Sequence, residues 1–263
     1  MSEGKEAEMV QAAVVLADIL GLNELMRQRP LKEIVEGVMA SFADSITPAL
    51  GTMEVGSDSS SEVTKELIKK MGLRSVPGDS WLLASDSIFG IFPFRESVEA
   101  AADDCIVRAA NFLRRAISIC SQSSIWVRGA VGYGECYYSD HDNGLILLGQ
   151  PIVEAYQWER SQEWIGGMLA PSAALMLDQV ARKYANSDLF KAVGIANQPL
   201  FIEYDIPLKS PLPAGCPRAA INLSIVSTLR DHFTLPEKAD EDGLREDAID
   251  KWANTRAFLR SIG

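Results

Sequence analysis

Histidine is nearly absent from this chain: His141 and His232 are the two in 263 residues. A histidine-ligated zinc site or a Ser–His–Asp triad would need one of them, and neither stands near a suitable partner motif. His141 lies in YYSDHDNG, which reads as a polar hairpin loop. Cysteine is also sparse, with four. Cys105, Cys120, Cys136 and Cys216 form no CxxC pair and no regular spacing, and three of them lie in apolar or mixed segments where a reduced thiol packs as a small hydrophobe. There is no long basic run, and the net charge is −11. A duplex-binding surface needs clustered Lys and Arg, so a polymeric nucleic acid is excluded as a partner. No apolar run reaches the length of a membrane span, and residues 1–9 are too polar and acidic for a secretory signal. The expectation is a cytoplasmic protein with no membrane partner.

What the chain does have is apolar bulk. At 47% hydrophobic it can bury a full core. Residues 1–9 read as a flexible terminus and 10–263 as a single domain, because no linker separates two cores. Residues 12–20 form a nearly continuous apolar run, the mark of a buried strand. A helix begins over Leu22 to Arg29, and Pro30 opens a second with Ile34, Val35, Val38, Met39 and Phe42 at helical spacing. Residues 51–61 read as a polar loop and 81–92 as a hairpin with Ser-Asp-Ser at its centre. Val98 to Cys120 reads as an amphipathic helix. Strands are expected at 124–134 and 145–148, with a turn-rich loop at 137–144 between them. A helix opened by Gly149 and Pro151 runs to about Gln162. A strand at 164–169, a helix from Pro171, and strands at 200–206 and 219–223 follow. Residues 209–218 and 235–243 read as loops, and 244–262 as a terminal helix. This order predicts an α/β sandwich with a ferredoxin-like βαββαβ core, sheet on one side and helices on the other, extended at its C-terminus by further strands and a helix.

Two carboxylates sit where carboxylates are costly. Asp18 lies in VVLADILGL and Asp86 in ASDSIFGIF, each within or beside a strand-like apolar run. Brought together they would repel, unless a divalent cation lies between them. Asp18, Asp86 and the Ile19 carbonyl are therefore the candidate metal ligands, for Mg²⁺ or Mn²⁺ in phosphate chemistry. The backbone of Leu20, Gly21, Leu22 and Asn23 forms a turn whose amides would face an anion beside the metal. Each aspartate also has a plainer reading: Asp18 as the cap of a helix beginning near Leu22, Asp86 as a turn residue bonding its own backbone. GAVGYG at 129–134 lacks the GxGxxG spacing and sits inside a strand pattern, so it is no dinucleotide fingerprint.

These residues resemble the catalytic domain of the class III nucleotidyl cyclases. That family begins with a strand ending in Asp-Ile-x-Gly-Phe-Thr, matched by Asp18-Ile19-Leu20-Gly21-Leu22-Asn23, and carries its second metal aspartate in a hairpin, matched by Asp86. Arg128 to Gly134 loosely matches Arg-x-Gly-Ile-x-x-Gly. The helix opened by Gly149 matches the Val-Asn-x-Ala-x-Arg helix in outline. The resemblance covers roughly residues 12–185 and implies two divalent ions, a nucleoside triphosphate substrate and a head-to-tail homodimer, with Arg128 or Arg160 reaching across the interface.

The departures matter as much. The helix positions that carry the family's transition-state Asn and Arg hold Val153 and Gln157 here. Arg160, one turn on, is the candidate substitute; the alternative is a surface arginine paired with a nearby glutamate. The positions that read a purine edge hold Leu82 and Ile146, which cannot hydrogen-bond a base. With the style of GQPIVEAYQWE, EYDIPLK and KWANTRAFL, this makes the chain most similar to the bacterial antiphage (Pycsar) pyrimidine cyclases, which implies a cyclic pyrimidine product, UMP favoured over CMP, read by a separate effector protein. Tyr133, Arg128 and Lys209 are candidate base or phosphate contacts, each with an equally good packing or surface role. The alternatives are a purine cyclase and a catalytically silent cyclase-like domain.

Overall fold

The computed structural model describes residues 8–22, 26–27, 29–34, 36, 80–84, 86–94, 101–122, 125–141, 144–184, 200–223 and 246–261. Its elements follow in the order β1 (Glu8–Leu20), α1 (Leu31–Ile34), β2 (Ser80–Ala84), β3 (Ser87–Pro93), α2 (Ala101–Gln122), β4 (Trp126–His141) and β5 (Gly144–Gly149). Then come α3 (Gln150–Ser161), β6 (Gly167–Leu169), α4 (Pro171–Tyr184), β7 (Phe201–Glu203), β8 (Ala219–Ile221) and α5 (Glu246–Ser261). The expected α/β architecture is present: one large sheet with helices packed on it. The expected loops at 51–61 and 235–243, and Val35, Val38, Met39 and Phe42, lie outside the described residues, as does most of Leu22–Arg29.

The sheet runs β2-β3-β1-β4-β6-β8-β7, with β5 also paired to β4. β1 is central. It pairs antiparallel with β3 on one edge and along its whole length with β4 on the other. Residues 12–17 are buried to the last atom or nearly so, which is why the run is continuously apolar and does not alternate. Alternate residues serve opposite faces. Ala13, Val15 and Ala17 join the main core with Phe112 and Leu113 of α2, while Ala12 and Val14 join Ile91 and Cys136 in a second cluster, against which Ile152 of α3 packs. The helices therefore cover both faces, correcting the expectation of a sheet with helices on one side. A strand buried on both faces needs a cover on each.

Other boundaries move for identifiable reasons. Glu8 and Met9 belong to β1, paired with Tyr138 and Tyr137, so they are not part of a flexible terminus. The loop expected at 137–144 is strand as far as His141, because β5 supplies a hydrogen-bonding partner to residues 136–141. His141 is the last strand residue, paired with Gly144. The strand expected at 164–169 is reduced to 167–169. Those at 200–206 and 219–223 shorten to Phe201–Glu203 and Ala219–Ile221.

Helix α3 is seated closely. An added Cβ at Gly132 of β4 would stand 2.4 Å from the Pro151 carbonyl oxygen, so only glycine lets the first turn of α3 lie on the strand. Pro151 itself starts the helix without needing an amide partner.

Candidate functional site

The register sets the site. Asp18 pairs with Ser87 of β3 and with Arg128 of β4. Asp86 forms the turn between β2 and β3, and its carbonyl accepts a 2.7 Å hydrogen bond from the Ile19 amide. Asp18 and Asp86 are thus brought together at one end of the sheet. Strand β1 continues two residues past Asp18, so Asp18 does not cap a helix. Gly21 then turns the chain with φ +78°, a conformation glycine adopts without strain. Leu20 is half-buried and pairs with Trp126; Leu22 is buried in the main core, so it can offer a ligand its backbone alone. Asn23 lies outside the described residues.

Arg128 points to the α3 face and is nearly fully buried. Its Nε donates to Glu159 Oε1 at 2.8 Å and its Nη1 to the Gln162 carbonyl at 2.9 Å. Nη2 lies 2.6 Å from Glu159 Oε1 and 3.7 Å from Asp18 Oδ2. The cation beside Asp18 thus comes from the same chain, where reach from a partner was one expectation. Glu159 and Gln162 escaped the sequence reading. Their signal was present: Pro151, Ala155 and Glu159 form one buried stripe at helical spacing, with an acid in a core position. Gln162 completes the lattice, donating to the Gly129 carbonyl at 2.9 Å and accepting from Trp164 Nε1 at 2.7 Å.

The charges are finely opposed. Burial raises the Asp18 pKa above the ordinary carboxylate value; Arg128 draws it down, Asp86 pushes it up, and Lys251 and Arg160 draw it down. Burial also raises the Glu159 pKa, against the pull of Arg128. Arg160 is exposed in the last turn of α3, where its charge suits the helix dipole. Its Nη1 donates to Tyr156 Oη at 2.6 Å, and its guanidinium lies 5.4 Å from that ring's centre. Its partner is therefore a tyrosine and not the glutamate of the plainer reading.

Not every candidate converges here. Tyr133 is five residues along β4 from Arg128, hence on the opposite face, packed against the main core, with its amide donating to Ser172 Oγ at 2.9 Å. Lys209 is exposed; its amide donates to the Ser161 carbonyl at 2.8 Å, beside the end of α3. Leu82 is 52% exposed on β2. Ile146 pairs with Ser139 in β5, and its side chain lies outside the described residues. The outer end of the site is bounded by α5: Trp252 meets Trp126 edge-on, with ring centres 4.5 Å apart.

The donor set suits a hard divalent cation. Asp86 raises the cost of ionising Asp18, and the oxygens on offer suit a hard divalent cation and not a soft metal. Among the described residues no group of three or more His, Cys, Asp and Glu side chains is placed to hold a metal, so further ligands would come from backbone, substrate or water. Among the described residues no helix is long and apolar enough to cross a membrane.

No protein-family model matches the chain, and no curated protein does. Among solved structures it is similar to the catalytic core of a rhodopsin-guanylyl cyclase with converted specificity, at 13% identity and TM-score 0.48, covering 82% of this chain and 96% of that one. It is similar to the dimeric guanylyl cyclase domain of the RhoGC fusion protein from Blastocladiella emersonii, at 16% identity and TM-score 0.44, covering 66% of this chain and 87% of that one. A third is the adenylyl cyclase CyaB from P. aeruginosa, at 14% identity and TM-score 0.40, covering 66% and 84%.

Proposed function

We propose that this chain is a nucleotidyl cyclase that converts a pyrimidine nucleoside triphosphate, UTP in preference to CTP, into its 3′,5′-cyclic monophosphate and pyrophosphate. The observation that carries the reading is the meeting of Asp18 and Asp86 at neighbouring strand ends, tied through the Ile19 amide and repelling each other. Two divalent ions bound by Asp18, Asp86 and the Ile19 carbonyl would acidify the ribose 3′-hydroxyl and neutralise the triphosphate. In the reaction a bond forms between O3′ and the α-phosphorus, the bond from that phosphorus to the bridging oxygen breaks, and the hydroxyl proton passes to solvent.

The chain's own residues have distinct parts. Arg128, held by Glu159 and Gln162, stands 3.7 Å from Asp18 and draws its pKa down against the effect of burial. The turn at Gly21 presents backbone amides toward the phosphates. Arg160, exposed at the end of α3, stabilises charge developing on the α-phosphoryl group. Lys209, exposed beside the end of α3, is assigned to substrate contact on the sequence resemblance, while Tyr133, packed against the main core on the opposite face of β4, is not. Apolar Leu82 and Ile146, where a purine cyclase carries polar base readers, support the pyrimidine preference. The protein acts as a cytoplasmic homodimer in antiphage defence, and its product is read by a separate effector.

Incubating the purified protein with Mn²⁺ and each of the four ribonucleoside triphosphates, then identifying products by mass spectrometry, tests this directly. Cyclic UMP or cyclic CMP is the expected product. Cyclic AMP or GMP would keep the metal site and refute the specificity. One observation favours a second reading, a silent nucleotide-binding domain: the guanidinium of Arg128 is committed to Glu159 and Gln162, and Val153 and Gln157 replace the usual pair. No product from any of the four by a folded dimer would select it.

A further inference from the structure

Asp18 and Arg128 stand directly opposite each other in the β1–β4 ladder. An acid and an arginine in that relation would ordinarily close on each other as a two-pronged ion pair. Here they do not. Arg128 Nη2 stops 3.7 Å from Asp18 Oδ2, outside hydrogen-bond range. The guanidinium is turned instead to helix α3. Its Nε and Nη2 both reach Glu159 Oε1, at 2.8 and 2.6 Å, and its Nη1 donates to the Gln162 carbonyl at 2.9 Å. Gln162 is itself fixed, because its side chain bonds the Gly129 carbonyl and Trp164 Nε1. Burial separates the two acids. The Glu159 side chain is 3% exposed and that of Asp18 is 26% exposed. The neutralised acid lies inside, and the acid left open lies nearer the surface.

We propose that Glu159 is a positioning residue for the metal site: by taking up the charge and the hydrogen bonds of Arg128, it keeps the arginine from closing on Asp18 and leaves that carboxylate open to a divalent cation. The proposal rests on the metal reading above and adds to it a group that acts only through Arg128. Two physical effects run in the same direction. A carboxylate gripped by a guanidinium has fewer lone pairs to give a metal. An uncompensated cation at the distance of Arg128 would also repel the metal, whereas Arg128 and Glu159 together are close to neutral. Without the Glu159 charge, the guanidinium has Asp18 as its one other acid within 4 Å among the described residues.

Titration of the purified protein with Mn²⁺ alone, followed by the paramagnetic resonance of the free ion, tests this without relying on turnover. Glu159→Gln keeps the shape of the side chain and loses its charge. It should weaken Mn²⁺ binding by about tenfold or more. Adding Arg128→Met to Glu159→Gln removes the freed cation and should return the affinity to within about threefold of wild type. Arg128→Met alone should bind Mn²⁺ at least as tightly as wild type. A merely structural role for Glu159 predicts the opposite order: the double variant loses more of the buried network and would bind more weakly than the single one. Circular dichroism checks that each variant is folded, and if Glu159→Gln is not, the double variant and Arg128→Met decide. Wild-type affinity in Glu159→Gln, or a tenfold loss in Arg128→Met or in the double variant, would overturn the proposal and leave the metal reading intact. Wild-type affinity in Asp18→Asn would overturn the metal reading, and this proposal with it.

Discussion

Arg128 Nη2 stands 3.7 Å from Asp18 Oδ2, across the β1–β4 ladder of a single chain. The same nitrogen lies 2.6 Å from Glu159, so the arginine links the carboxylate pair to helix α3. The consequences are both electrostatic and structural.

Removing Glu159 leaves a nearly buried guanidinium without its main counter-charge. Glu159→Ala is expected to cost about 3–5 kcal/mol, the range for breaking a buried ion pair. Glu159→Gln, which retains an acceptor for Arg128, should cost less. Urea denaturation of both variants beside wild type measures the difference, and equal stability of all three would refute a structural role for the pair.

The Asp18 pKa is raised in the folded protein. A raised carboxyl pKa means that the metal-free folded state holds the proton more tightly than the unfolded chain. Its contribution to stability is then present at low pH and is lost as pH climbs through the folded value. Asp18→Asn should therefore stabilise the metal-free protein at neutral pH while removing Mn²⁺ binding. Carbon-13 NMR titration separates the causes: Asp86→Asn should move the Asp18 pKa down, and Arg160→Ala should move it up. Opposite signs would contradict the arrangement described.

Both aspartates are expected to be indispensable for turnover. Asp18→Ala and Asp86→Ala should each lower cyclisation by about a thousandfold or more, with circular dichroism unchanged. Full activity in either variant would end the metal assignment.

Gly132 tests the seat of α3. Its Cβ position is filled by the Pro151 carbonyl oxygen at 2.4 Å, a backbone atom that cannot rotate away. Gly132→Ala should cost about 1–3 kcal/mol through overpacking and shift α3 away from β4. Because Glu159 rides on that helix, the variant should also weaken Mn²⁺ binding. Thermal melts and a Mn²⁺ titration read the two effects, and an unperturbed protein would show that α3 is not held by this contact.

The sequence by itself determined the α/β class, the buried strand around Asp18, the hairpin bearing Asp86 and the helix opened by Pro151. These features are local: continuous apolar runs, turn residues and helical spacing mark them whatever surrounds them. The tertiary structure alone decided what no local pattern carries. The length of β4 depended on a partner strand to bond residues 136–141. The placing of helices on both faces depended on β1 being buried on each. Above all, Glu159, Gln162 and Trp252 lie 31, 34 and 126 residues from the β4 residues they meet, Arg128, Arg128 and Trp126. A glutamate in a core stripe is legible as an anomaly in the sequence, but its counter-charge is chosen by packing, because desolvation forces a buried acid to find a cation wherever the fold brings one.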